Sequence, residues 1–464
     1  MIKTPQPQGL EPLDAVEAKM LPVTPRSIRT GLRLNIRGRS VHLRGMRRSP
    51  TGILRWLAIL GPGLIATSAG NDAGGIATYT QAGAKFGYEL IWVMLILTVS
   101  FAVVQEMCAR LGAATGRGLL DLIRERFGIG WSLFAVAVIL LANGGVTVSE
   151  FVGIGAAMEL LGVSKYVAVP VGAVVIWYLV IFGSYAKVEK ILLLMTLVFF
   201  AYPVAAIMAK PNWVEVARGA FIPTFHADSA YIFLVVGLLG TTITPYIQIF
   251  QQSSLVERGV ARRHYGPERI DAYVGAIFSN LMSISMIIAT AATLYVAGHR
   301  DIETAADAAR ALEPVMGSSA TVLFAIGLLG ATLLAGAVLP LATAYAVSET
   351  FGVPKGVNLD FRRGKVFFSL FTALVVIGAA LALVPGIPVI KLLVGVQVLN
   401  GILLPIILIF ILLLINDKRL TAELKNTSGN NVLAIGTLVL ITSAVVMMLG
   451  NQLLELLGIT LFGG

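Results

Sequence analysis

The residue best placed to do chemistry in this chain is Asp72, a carboxylate inside the first long apolar stretch, in the run Gly70-Asn71-Asp72-Ala73-Gly74-Gly75. An ionisable group at membrane depth is expensive and marks a functional site by default. Its glycine-rich surroundings, preceded by Gly61-Pro62-Gly63, make a poor continuous helix. Five apolar segments later, Gly237 and Gly240 followed by Thr241-Thr242-Ile243-Thr244-Pro245 interrupt a second one. Interrupted helices at corresponding positions of two halves predict an inverted repeat with a substrate site at the bilayer midplane. Two kinks that serve only packing are the plainer alternative. A carboxylate at such a break repels an anionic solute, so a cation is favoured over an amino acid as cargo. Glu106 and Glu150 also fall in apolar segments, as parts of a polar pathway or as halves of buried pairs.

Other chemistries are excluded. His42, His226, His264 and His299 lie in loops or the tail, so the chain of titratable groups that a proton relay needs is missing. There is no HExxH, no GxSxG and no membrane pair of histidines, which argues against an intramembrane enzyme. The single cysteine, Cys108, excludes an internal disulfide and reads as a small core residue.

The elements that must position Asp72 follow from hydropathy. Apolar residues make up 57% of the 464, and charged residues only 13%, about half the share of a soluble domain. A soluble protein could not hide that surface, whereas a membrane protein turns it to lipid. The net charge of +10 does not signal nucleic acid, because the basic residues sit between the apolar runs, as membrane topology requires. Runs of about 20 residues or more predict eleven spans, at 53–83, 88–111, 129–160, 165–184, 188–209, 231–254, 271–297, 318–350, 365–385, 388–415 and 430–455. With the N-terminus in the cytoplasm, 28 of the 35 Lys and Arg fall inside and seven outside. That bias supports the orientation and leaves the C-terminus outside the cell (inner) membrane. Residues 1–50 carry ten Lys or Arg and no long apolar core. They read as a disordered, basic cytoplasmic tail, suited to anionic lipid. The transmembrane part, 51–464, divides into a first repeat (51–209, spans 1–5), a second (231–416, spans 6–10) and an added helix (430–455).

At these residues the sequence resembles the Nramp family of divalent metal transporters. Gly61-Pro62-Gly63-Leu64 with Asp72-Ala73-Gly74-Gly75 resembles the family's GPGLL…DPGN element. Phe86-Gly87-Tyr88 and Ala109-Arg110-Leu111-Gly112 with Thr115-Gly116-Arg117 resemble runs around span 2. Thr241 to Tyr246 falls where the family has ATVMPH, Gln397 where it has a metal-contacting Gln, and Asn416-Asp417-Lys418-Arg419-Leu420 resembles its loop SDRKLM. The resemblance implies an all-α, LeuT-like fold with broken helices 1 and 6. It also implies a divalent metal ion as cargo, a lipid bilayer as surroundings and no cofactor; the oligomeric state stays open.

The departures narrow the cargo. The family's Asp is kept as Asp72, but its Pro becomes Ala73, its metal-binding Asn becomes Gly75 and its metal-binding Met becomes Thr244. Two family histidines become Tyr246 and Gln251, and one acid of the span-3 pair becomes Thr147 while Glu150 remains. This pattern resembles the branch known as Nramp-related magnesium transporters. A thioether favours soft ions and offers nothing to Mg²⁺. A hydroxyl at Thr244, and space opened at Gly75, suit a hard cation that keeps several waters. The expected site is therefore Asp72 as anchor, with Thr244, Gln397, the backbone carbonyls near Ala69 and Thr241, and room at Gly75. Glu150, Glu106 and Tyr246 form a candidate polar pathway. The expected activity is import of Mg²⁺, and of Mn²⁺ with it, by alternating access without proton coupling. The alternative is an ordinary proton-coupled Mn²⁺/Fe²⁺ transporter. Thr244 could also bond its own helix, and Gln397 could be a helix–helix contact.

Overall fold

Only helices and closed barrels satisfy the backbone of a chain in lipid, and the computed structural model is built of helices. It describes residues 33–36, 39–42, 62–182, 200–226, 228–260, 262, 265–310, 317, 320–421 and 424–457. The chain divides into two compact units, 1–58 and 59–464. Where composition predicts a tail without structure, two strands pair antiparallel, β1 (Arg33–Ile36) and β2 (Arg39–His42). In their register Leu34 stands opposite Val41. The rest of the tail, the start of span 1 at 53–61 and most of span 5 at 188–199 lie outside the described residues.

Span 1 is two short helices, α1 (Pro62–Ser68) and α2 (Ala73–Phe86). Span 2 is α3 (Ile91–Thr115), followed by the connecting helix α4 (Leu119–Phe127). Spans 3 and 4 are α5 (Ile129–Leu160) and α6 (Lys165–Phe182), and span 5 is described as α7 (Ala201–Met208). After α8 (Trp213–Phe221), span 6 is again two helices, α9 (Ser229–Thr242) and α10 (Pro245–Glu257). Span 7 is α11 (Tyr265–Thr290) with a π-helical turn at Ala291–Tyr295. A short helix, α12 (Ala305–Ala309), leads to span 8, α13 (Ala320–Phe351). Spans 9 to 11 are α14 (Lys365–Ala382), α15 (Val389–Ile415) and α17 (Ser428–Leu456), with α16 (Lys418–Thr421) between the last two. Among the described residues, nine helical stretches are long and apolar enough to cross a membrane. They match spans 2–4 and 6–11, while each half of span 1 is too short to be counted alone.

Both breaks have local causes. Asp72 is the N-cap of α2: its backbone is extended and its side chain accepts the Gly75 N–H. Pro245 opens α10 and forces Thr244 before it into an extended conformation, φ −79° and ψ 144°. Packing is reciprocal, as an inverted repeat requires. The α2 half of span 1 packs on span 7, and the α10 half of span 6 packs on span 2. Span 3 packs on span 9, span 8 on span 4, and spans 3 and 8 on each other. Of these nine stretches span 6 is the most enclosed, and spans 4 and 11 are the least buried. Asn71, Asp72 and Ala73 at the first break and Thr241, Ile243 and Thr244 at the second are buried in the protein interior, and spans 4 and 11 carry the faces that suit lipid.

Candidate functional site

Asp72 is fully buried. Its Oδ1 accepts the Gly75 N–H at 2.5 Å, and the Gln397 side-chain amide donates to Oδ1 at 2.9 Å and to Oδ2 at 3.1 Å. The Tyr246 hydroxyl lies 3.3 Å from Oδ2 and 2.6 Å from the Ala69 carbonyl oxygen. A phenol has one proton, and the shorter contact assigns it to Ala69. Tyr246 thereby ties the first residue of α10 after its proline to the end of α1. The Gln397 oxygen accepts in turn from the Asn400 amide at 2.9 Å. Across the break, Glu150 Oε2 of span 3 accepts the Ala73 N–H at 3.3 Å, so the start of α2 meets two carboxylates.

The second break supplies hydroxyls. Thr244 and Thr241 are fully buried, and neither side-chain oxygen makes a hydrogen bond of regular geometry. The Thr241 hydroxyl lies against Gly75. Span 7 clamps the first break from behind. Asn71 donates to Ser279 Oγ at 3.1 Å and accepts from Ser283 Oγ at 2.7 Å, while Ser279 Oγ donates to the Thr67 carbonyl at 2.7 Å. Among the described residues no three His, Cys, Asp or Glu side chains gather as a metal-binding group. An ion at this place would meet one or two carboxylates and otherwise neutral oxygens.

Residues 63–451 match the family model described as Natural resistance-associated macrophage protein-like. The chain belongs to the Nramp family. A curated relative, the divalent metal cation transporter MntH of Klebsiella pneumoniae (strain 342), is 28% identical over 380 residues, 80% of this chain and 88% of that protein. Among solved structures, the manganese transporter of Eremococcus coleocola in complex with an aromatic bis-isothiourea substituted compound superposes with a TM-score of 0.71 at 18% identity, over 88% of this chain and 90% of that one. MhsT in complex with L-phenylalanine superposes at 0.56 with 14% identity, over 83% and 97%. The fold is LeuT-like.

Within this Nramp chain, Asp72, Ala69, Gly75, Thr241, Thr244, Tyr246, Gln397 and Glu150 all come together at the two breaks. Glu106 does not join them. It pairs with Arg110 one helical turn on, and Arg110 also donates to the Lys425 carbonyl at 3.1 Å, tying span 2 to the loop before span 11. Nor does Gly75 open a space: a Cβ there would stand 2.8 Å from Thr241 Oγ1 and 2.9 Å from the Gly70 carbonyl oxygen. In this arrangement the glycine permits contact between the two breaks. Gly74 does the same for Gln397, whose amide a Cβ would strike. Sequence reasoning missed the Asn71–Ser279–Ser283 clamp and Asn400. Their signals were Asn71 beside Asp72, two serines one turn apart in span 7, and an asparagine one turn after Gln397.

Away from the site, Glu349 at the end of span 8 is fully buried. It accepts the Leu120 N–H of α4 at 3.0 Å and Ser253 Oγ of α10 at 2.7 Å, with Lys355 Nζ at 3.6 Å. That carboxylate joins spans 6 and 8 with the helix between spans 2 and 3.

Proposed function

We propose that the chain imports Mg²⁺, and Mn²⁺ with it, across the cell membrane by alternating access and without proton coupling. The ion is bound between the broken spans 1 and 6 and keeps part of its water. One observation carries this reading: a fully buried Asp72 at the meeting of the two breaks, whose direct neighbours are an amide, a phenol and a backbone N–H. None of these is a thioether or an imidazole. A divalent cation is the cargo named for MntH, and manganese for the Eremococcus protein. Thr244 in place of a thioether moves the preference toward hard ions. Asp72 supplies the charge, the Thr244 hydroxyl and the Ala69 and Thr241 carbonyls supply neutral oxygens, and Gln397 supplies one after its amide turns. The N-terminus and tail are on the cytoplasmic side, and the membrane potential drives entry. At about 2.3 kcal/mol per charge per 100 mV, a divalent ion gains roughly twice that.

The absence of coupling is supported by the histidines. His226 is half exposed and paired with Glu89 at 2.6 Å, and His299 is exposed. In span 3 the Thr147 hydroxyl only back-bonds to the Asn143 carbonyl at 2.7 Å. The proton-coupled Mn²⁺/Fe²⁺ reading has one observation in its favour, the Glu150 carboxylate on the residue next to Asp72. Uptake by proteoliposomes carrying a pH-sensitive dye separates the two. The expected result is Mg²⁺ and Mn²⁺ uptake without internal acidification, weak competition by Cd²⁺, and no uptake by Asp72→Ala. Acidification in strict step with uptake would establish the coupled reading instead.

A further inference from the structure

We propose that Asn400 is a positioning residue of this site. Its amide and that of Gln397 turn over together, with one setting for a cation-free Asp72 and the other for a loaded one. The inference rests on the reading of Asp72 as the cation anchor.

The starting point is a mismatch of donors and acceptors. Gln397 turns its NH₂ group to Asp72 and its oxygen to the NH₂ group of Asn400. Asn400 is fully buried, and its own side-chain oxygen makes no hydrogen bond. This setting suits a bare carboxylate. It does not suit a cation, because an NH₂ group has no lone pair to offer and points positive charge at the ion. Turning Gln397 alone would present its oxygen to the cation but set its NH₂ against the NH₂ of Asn400, two buried donors without an acceptor. Turning both removes the facing donors and puts the Asn400 NH₂ where its oxygen now stands. Gln397 then offers its oxygen to the ion and donates to the Asn400 oxygen, which gains the partner it lacks in the present setting.

The surroundings confine the adjustment to these two side chains. The Gln397 amide lies against Gly74, and a Cβ at Gly240 would strike the Gln397 backbone carbonyl. Spans 6 and 10 thus meet backbone to backbone at this level, and span 10 has little room to shift. The side-chain torsions of the two amides are what remains free.

The test is Mn²⁺ binding by calorimetry to purified full-length protein, with thermal melting in the absence of cation to check folding. Asn400→Leu leaves the turned Gln397 amide without an acceptor and is expected to weaken Mn²⁺ binding about tenfold or more. Asn400→Asp offers only acceptors, holds Gln397 in the ion-facing setting and is expected to bind at least as tightly as the parent. In a Gln397→Leu background the two substitutions should fall within about twofold of each other. An equal gain from Asn400→Asp in that background means plain charge attraction and overturns the proposal. So does parental affinity in Asn400→Leu, or an equal loss in both variants, as simple packing requires. Asp72→Ala tests the underlying site separately: Mn²⁺ binding that survives it removes the anchor itself, whatever Asn400 does.

Discussion

Gly75→Ala tests whether contact shapes the meeting of the two breaks. The added methyl would stand 2.8 Å from Thr241 Oγ1, 2.9 Å from the Gly70 carbonyl oxygen and 3.2 Å from Asp72 Oδ1. The Thr241 hydroxyl can swing away at small cost. The Gly70 carbonyl cannot, because the next residue, Asn71, is held by Ser279 and Ser283. The displacement therefore falls on residue 75, whose N–H caps Asp72 at 2.5 Å. Overpacking of this kind costs about 1–3 kcal/mol, and a weakened cap adds up to about 1 kcal/mol. Together, about 1–4 kcal/mol, these depopulate the present arrangement by a factor of roughly 5 or more. Apparent Mn²⁺ affinity should fall by a similar factor in calorimetry, together with the melting temperature. Thr241→Ala removes the first collision and leaves the second, so the double variant should regain part of the loss but not all. Gly75→Ala that melts and binds like the parent would refute the reasoning. It would restore the expectation that glycine at 75 simply leaves space for a hydrated ion.

Two further substitutions probe cargo and access. Thr244→Met places a thioether at the second break and should raise Cd²⁺ competition against Mn²⁺ uptake about tenfold or more while Mg²⁺ uptake falls; an unchanged ratio of the three ions removes residue 244 from the site. Glu349→Gln weakens the charge-assisted bonds that join α4, α10 and span 8, each worth about 1.5–3 kcal/mol. In a Cys108→Ser background, a cysteine at Gln251 on α10 should then react faster with a water-soluble thiol reagent added on the side of the membrane that carries α4, and an unchanged labelling rate rejects the carboxylate as a closure of that end.

The sequence reveals what depends on type and period, and conceals what depends on facing partners. The spans are legible because apolar length is itself the physical signal, and the breaks because Gly70, Pro245 and their neighbours cannot continue a helix. Asp72 is legible because burying a carboxylate in lipid without purpose is too costly. For Glu106 the sequence left a polar pathway and a buried pair open, and the pair is the arrangement seen: Arg110 follows at the i+4 spacing that pairs charges on one helix face. Gly75 was read as room because a missing side chain looks like room until the opposite wall is known, and that wall is Thr241, on a helix 166 residues later. The tail hairpin was hidden because a few alternating aliphatic residues among ten basic ones leave the local composition polar.

In the proposed site, partial hydration of the cargo follows from counting the oxygens at the two breaks. Mg²⁺ takes about six ligands in near-octahedral array and gives up water reluctantly. Asp72 is the single carboxylate that the Gln397 amide and Tyr246 hydroxyl both reach. The Ala69 carbonyl is engaged by Tyr246, so the ion must compete for it or share it. Thr244 adds one hydroxyl without a prior bond, and Gln397 adds one oxygen only after turning. Even with the Thr241 carbonyl, the set falls short of a complete shell unless both Asp72 oxygens bind. An octahedral ion tolerates that bidentate mode poorly, whereas water fills the gap without moving the backbone. A cation that can keep one or two waters fits these breaks as they stand. In that proposed site a soft ion seeking sulfur finds none among the groups that touch Asp72.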